Sequence, residues 1–164
     1  MKYNRFEELP VWKAAIELAV QVYGLTDRPE FKSRYSLRDQ IERAAVSVSN
    51  NIAEGFERGT TQELLTFLYI ARGSCGEVRS MLCLLEAVPA FSHLKFEISN
   101  LKLRAEGASR QLRAWADSLQ NSDIRGQRYL TDKTKSRSKE AHEREEFLKE
   151  LEQIRNGKGG EGKV

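Results

Sequence analysis

The stretch "LKFEISNLKLRAEGASRQLRAWADSL", residues 94–119, decides the fold. Its residues Leu94, Ile98, Leu101, Ala105, Ala108, Leu112, Trp115 and Leu119 recur in alternating steps of four and three. Residues three and four apart stack above one another on a helix, so this spacing draws one apolar seam along one side. An unbroken seam of this length is what a helix presents to a bundle. The spacing predicts a helix over about 92–119.

Three more segments repeat the pattern. Residues 9–25 read as a helix, with Pro10 tolerated in its first turn. Val11, Ala15, Leu18, Val22 and Leu25 form one seam there, and Trp12, Ile16, Ala19 and Tyr23 a second about 100° away. "TDRPEFKSRYS" (26–36) interrupts the pattern as a loop. A second helix is expected from Ser36, as its N-cap, to about Gly55, with Leu37, Ile41, Ala45, Val48 and Ile52 on one face. In "GFERGTT" (55–61), Gly55 and Gly59 read as stop signals and Thr60 or Thr61 as the next cap. A third helix is expected over 62–87, ending before Pro89, with Leu64, Phe67, Leu68, Ala71, Cys75, Val78, Leu82 and Leu85 in a broad apolar arc. No hairpin signal competes. The expected fold class is all-α, an up-down-up-down antiparallel four-helix bundle over residues 1–120.

Past residue 120 the character changes. Residues 121–139 read as a basic flexible linker, in which Arg125, Arg128, Lys133, Lys135, Arg137 and Lys139 outnumber the single acid Asp132 from 125 onward. Residues 140–156 read as a short amphipathic helix with Phe147, Leu148, Leu151 and Ile154 on one side, which needs a partner to bury them. Residues 157–164 read as a disordered tail.

Composition narrows the function classes. The 164 residues are 40% hydrophobic and 31% charged, with a net charge of +3, values of a globular chain rich in charged helices. No apolar run of 18 residues occurs, and the first residues lack the apolar core of a secretory signal, so a cytoplasmic location and no membrane partner are expected. Cys75 and Cys83 are eight apart on one helix, about 12 Å by the helical rise, too far to pair. Both are expected to be buried structural thiols. Neither histidine lies near them in sequence, so no metal or cofactor is expected.

The second helix carries a polar stripe beside its core face: Arg43, Ser47, Asn51, Glu54 and Arg58, spaced 4, 4, 3 and 4. On the third, "ARGSCGEV" places Ser74 in the apolar arc, with Arg72 and Glu77 at its edges. Partly buried charges across a helix seam need each other. Asn51 can satisfy orphan backbone groups. Ser74 can bond back to the carbonyl of Ile70, and Gly73 can admit a neighbouring backbone. Glu54 and Glu77 could be drawn as an acid–base pair, but no nucleophile, metal set or phosphate loop accompanies them. The stripe therefore reads as a structural or interface network, and the chain as non-enzymatic.

"LPVWKAAIELAVQVYGLT", "YSLRDQIERAAVSVSNNIAEGFERG" and "FLYIARGSCGEV" together resemble a bacterial four-helix bundle family encoded in intervening sequences of large-subunit rRNA genes. Its relatives include accessory variability determinant proteins of diversity-generating retroelements. The resemblance covers about residues 6–118. It implies a homo-oligomer, a pentameric ring or barrel, with basic surfaces for nucleic acid and, in the retroelement branch, a reverse transcriptase partner. The family motif carries over at Asn51, Glu54, Gly55, Arg58, Arg72, Gly73, Ser74 and Glu77, without a catalytic role. Two departures stand out. Glu42 occupies a position where the family usually has a second arginine beside Arg43, and the region beyond residue 120 has no counterpart.

Some apolar residues exceed what one bundle can bury. Phe96 and Leu103 project away from the 94–119 seam, Val46 points away from the core face, and the first helix has two seams. Self-association would cover them. Lys95, Lys102 and Arg113 share one side of the fourth helix, with Arg110 near and Glu106 interrupting. Repetition around a ring would turn this weak stripe into a basic belt, because phosphate binding is cumulative. With no aromatic stacking platform, RNA binding is expected to be largely sequence-independent. The alternative is a protein–protein adaptor whose C-terminal helix docks a partner. A third, an enzyme built on Glu54 and Glu77, would require metal-dependent cleavage lost on Glu54→Gln.

Overall fold

The computed structural model describes residues 3–121, 143, 144, 146–149, 151 and 152. The chain divides into two compact units, Met1–Arg128 and Tyr129–Val164. The first holds α1 (Pro10–Thr26), α2 (Tyr35–Glu57), α3 (Thr61–Ala87) and α4 (Lys95–Gln120), with no strand among the described residues. Short connections set successive helices antiparallel. α2 and α4 each pack against both α1 and α3, giving a four-helix bundle.

The expected seams become the core. All five residues of the first α1 seam are buried, as are Ile98, Leu101, Ala105, Ala108 and Leu112 on α4. Trp115 and Leu119 are only half-buried, because Ala116 takes the inward position at that end. Two clusters fill the bundle lengthwise. One gathers Leu25, Phe31, Ile41, Leu85, Phe91 and Ile98 at one end. The other gathers Leu9, Ile52, Phe56, Leu64, Leu68 and Leu112 at the opposite end. Each fully buried large side chain contributes about 1.5–3 kcal/mol of transfer energy.

The helix boundaries differ from expectation where tertiary packing acts. Ser36 is not the N-cap of α2. The helix starts at Tyr35, with Arg34 in the cap position and no side-chain cap. A 3-10 turn, Pro29–Phe31, leads straight into it, and Phe31 is fully buried with its ring 4.9 Å from that of Phe91. That anchor, rather than a hydroxyl, sets the start.

Gly55 does not stop α2, which continues to Glu57. Thr60 caps α3 as expected: its Oγ1 accepts from the Glu63 N–H at 3.2 Å and donates to the Glu63 carboxylate at 2.8 Å. Residues 92–94 belong to a 3-10 turn, Pro89–Leu94, rather than to α4. Phe91 and Leu94 are both buried there, and their spacing of three suits a three-residue turn.

In the second unit the described residues, all between 143 and 152, are helical, and Phe147, Leu148 and Leu151 are exposed. Arg125, Arg128, Lys133, Lys135, Arg137, Lys139 and Ile154 lie outside the described residues, as do the expected linker and tail. No helix among the described residues is long and apolar enough to cross a membrane.

Candidate subunit and nucleic-acid interface

Where α2 crosses α3, the polar stripe becomes a chain of hydrogen bonds. Asn51 Nδ2 donates to the Ser47 carbonyl at 2.7 Å and to Ser47 Oγ at 3.0 Å. Ser47 Oγ lies 2.9 Å from Ser74 Oγ, and Ser74 donates to the Ile70 carbonyl at 3.1 Å, the back-bond expected from sequence. With Ser74's proton committed to Ile70, Ser47 is the donor between the two hydroxyls. The chain runs Asn51 to Ser47 to Ser74 to Ile70, and each member polarises the next. Ser74 is buried, so losing its partner would leave a dry hydroxyl.

The charged part of the stripe is arranged differently from expectation. No guanidinium–carboxylate pair links Glu54 or Glu77 to Arg72. Glu54 is half-exposed and pairs with Arg58 on its own helix at 2.7 Å. Arg58 also lies 3.9 Å from Glu63 and over the Phe67 ring at 5.3 Å. Glu77 accepts from Gln40 at 3.3 Å. Exposed charges stay with nearby partners because water already solvates them, and only the hydroxyls enter the seam.

The close approach expected at Gly73 occurs at Gly55. A Cβ at Gly73 would meet nothing within 4 Å, whereas one at Gly55 would lie 2.7 Å from Phe67 Cβ and 3.2 Å from Leu64 Cδ1. Gly55 is therefore where α3 comes against α2. Glu42, where the resemblance led to an expected arginine, is used inside the fold. Its carboxylate, 15% exposed, accepts from Thr26 Oγ1 and from Arg38 Nε at 2.8 Å, tying α1 to α2. An arginine there would face Arg38 and leave the Thr26 hydroxyl only the Tyr23 carbonyl, at 3.1 Å on its own helix, as acceptor.

The expected cations of α4 are mostly paired. Lys102 meets Glu86 at 2.7 Å, Arg110 meets Glu106 at 2.8 Å, and Arg113 lies 3.6 Å from Asp117. On α2, Arg43 pairs with Asp39 at 3.1 Å. The Lys102 hydrogen bond holds the Glu86 carboxyl below the usual carboxylate range. Lys95 is exposed and makes no ion pair among the described residues; the same is true of Arg79, which sequence reasoning passed over, while Arg72 makes none among them either but is half-buried. Exposed i,i+4 pairs are worth only about 0.3–0.5 kcal/mol, so a phosphate can displace the carboxylate.

The surplus apolar residues are outward. Phe96 is 79% exposed and Leu103 64%, as the seam geometry requires; Val20 on α1 is equally open and was not singled out. Tyr23 is exposed and Val46 half-buried. Both line a groove of about 490 Å³ between α1 and α2 whose wall includes Ser47 and Asn51. The motif thus bonds α2 to α3 on one side and reaches the outer surface on the other. Cys75 is buried and its thiol is pushed up to about 12 by burial. Cys83, expected to be buried, is exposed, since it lies on the side of α3 away from the seam.

An all-helical bundle with a hydroxyl-bonded α2–α3 seam and outward apolar residues defines the class. The chain matches the 23S rRNA-intervening sequence protein family over residues 7–114 and belongs to it. No curated protein matches the chain.

Proposed function

We propose that the chain is a non-enzymatic, oligomeric scaffold that binds RNA largely without regard to sequence. Membership of the rRNA-intervening sequence family is the observation that carries the RNA reading. Arg79 and Lys95, exposed and without an ion pair among the described residues, the half-buried Arg72, and exposed pairs that a phosphate can open supply the chemistry. Outward Val20, Tyr23 and Phe96 support self-association, and a five-membered ring is what the family resemblance implies. For the retroelement branch the same resemblance implies a reverse transcriptase partner. Glu54 and Glu77 are held by different partners, which supports a structural rather than an acid–base role.

The test is fluorescence anisotropy with several RNAs of equal length and unrelated sequence, with light scattering alongside. Comparable affinities on a multimeric protein are expected. A micromolar monomer, or binding to one RNA alone, contradicts the reading. Exposed Phe147, Leu148 and Leu151 favour a second reading, a protein adaptor docking through that helical segment. A pull-down that captures the same proteins without residues 121–164 would remove it.

A further inference from the structure

We infer that the groove between α3 and α4 is a binding site for single-stranded RNA, which seats a phosphate between Arg79 and Lys102. The inference rests on the RNA-binding reading above and assigns it a place. The groove encloses about 510 Å³. Both helices line it with the same spacing: Gly76, Arg79, Ser80 and Cys83 on α3, and Ser99, Lys102, Leu103 and Glu106 on α4. Positions i, i+3, i+4 and i+7 form a continuous strip on each helix. Seven residues of helix extend about 10 Å, roughly two or three nucleotides at the 3.4 Å spacing of a stacked strand.

The charges suit a phosphodiester. Arg79 has no ion pair among the described residues, and its planar fork can grip two phosphate oxygens. Lys102 donates to Glu86 and also bonds the Cys83 sulfur, which leaves its third ammonium proton for a ligand. Glu106 at the wall is engaged by Arg110, and Glu86 accepts from Lys102 and Ser99 Oγ, so Arg79 is the cation in excess over the two carboxylates beside the site. Gly76 keeps part of the wall open, since a Cβ there would meet nothing within 4 Å. Leu103 and Cys83 add apolar surface against which one base can lie. The shape selects a single strand. A base can lie against Leu103 only when it is unpaired and turned out, which a single strand permits and an intact duplex does not.

Cys83 makes the occupant measurable. It is an exposed thiol in the groove, whereas Cys75 is buried, so a neutral maleimide at pH 7 reports Cys83. A Cys83→Ser variant gives the background. The full chain is alkylated alone, with a saturating single-stranded oligouridylate, and with duplex RNA of equal length; binding is followed in parallel by anisotropy. The single strand is expected to slow alkylation at least fivefold at low salt, the duplex less than twofold. Arg79→Ala, at an exposed position, should lower the log–log salt slope of binding by about 0.7. Single-strand binding that leaves Cys83 fully reactive overturns the groove and leaves the RNA reading standing. Equal protection by duplex, or an unchanged slope in Arg79→Ala, overturns the single-strand phosphate site. No RNA binding at low salt overturns both.

Discussion

Two alanine substitutions at glycines of one bundle should move stability in opposite directions. At Gly55 a new Cβ would sit 2.7 Å from Phe67 Cβ, at least 0.7 Å inside ordinary contact, and also 3.2 Å from Leu64 Cδ1. Phe67 Cβ is fixed to its backbone, so α2 and α3 must separate or Phe67 must shift together with the Arg58 guanidinium over its ring. Overpacking of this kind costs about 1–3 kcal/mol. Replacing glycine inside a helix returns about 0.8–1 kcal/mol. The balance falls to overpacking, and Gly55→Ala should lose up to about 2 kcal/mol. At Gly73 the Cβ meets nothing within 4 Å, so only the propensity gain remains and Gly73→Ala should gain up to about 1 kcal/mol. Urea unfolding followed by far-ultraviolet circular dichroism reads both, provided the slopes agree with wild type. The reasoning fails if Gly55→Ala matches or exceeds wild-type stability, or if Gly73→Ala is the less stable of the two.

Other outcomes follow from the same contacts. A double-mutant cycle on Ser47→Ala and Ser74→Ala should give a coupling of about 1 kcal/mol, and additive losses would show that the 2.9 Å contact contributes nothing. Glu42→Arg should cost about 1–3 kcal/mol by denaturant midpoint, because Thr26 keeps only the Tyr23 carbonyl as acceptor and Arg38 gains a like charge in place of a carboxylate; a neutral result would remove Glu42 from the α1–α2 tie. The Cys75 thiol stays protonated to about pH 12 when folded but ionises near its ordinary 9.0 when unfolded. Its contribution is therefore complete below pH 9 and declines by up to about 1.4 kcal/mol per pH unit above it. Stability measured from pH 8 to 11 should fall more steeply in wild type than in Cys75→Ala, and parallel curves would contradict this.

The bundle was legible because its seams are long and regular: the eight residues from Leu94 through Leu119, seven of them in α4, recur in steps of four and three and mark one inward side. Boundaries were less legible where a distant contact decides them. Phe31 anchored by Phe91 overrode the hydroxyl of Ser36, and the α2–α3 approach turned Gly55 from an apparent stop into a contact point. Ser74 and its bond to Ile70 could be read because both ends lie on one helix. The charged partners could not, since several cations had a nearby acid within reach, and local geometry chose among them. Arg79 was missed because it matters only with Lys102, which sequence spacing cannot place across from it. The strip Gly76–Arg79–Ser80–Cys83, unused by the core, was the available signal.

The central claim is RNA binding through phosphate contacts, and a titration of full-length protein with RNA from 50 to 200 mM salt tests it most directly. Three or more single-strand contacts per protomer give a log–log slope of about −2 or steeper, with little change between unrelated sequences. No binding near 50 mM salt, or tight binding that ignores salt, would contradict the account.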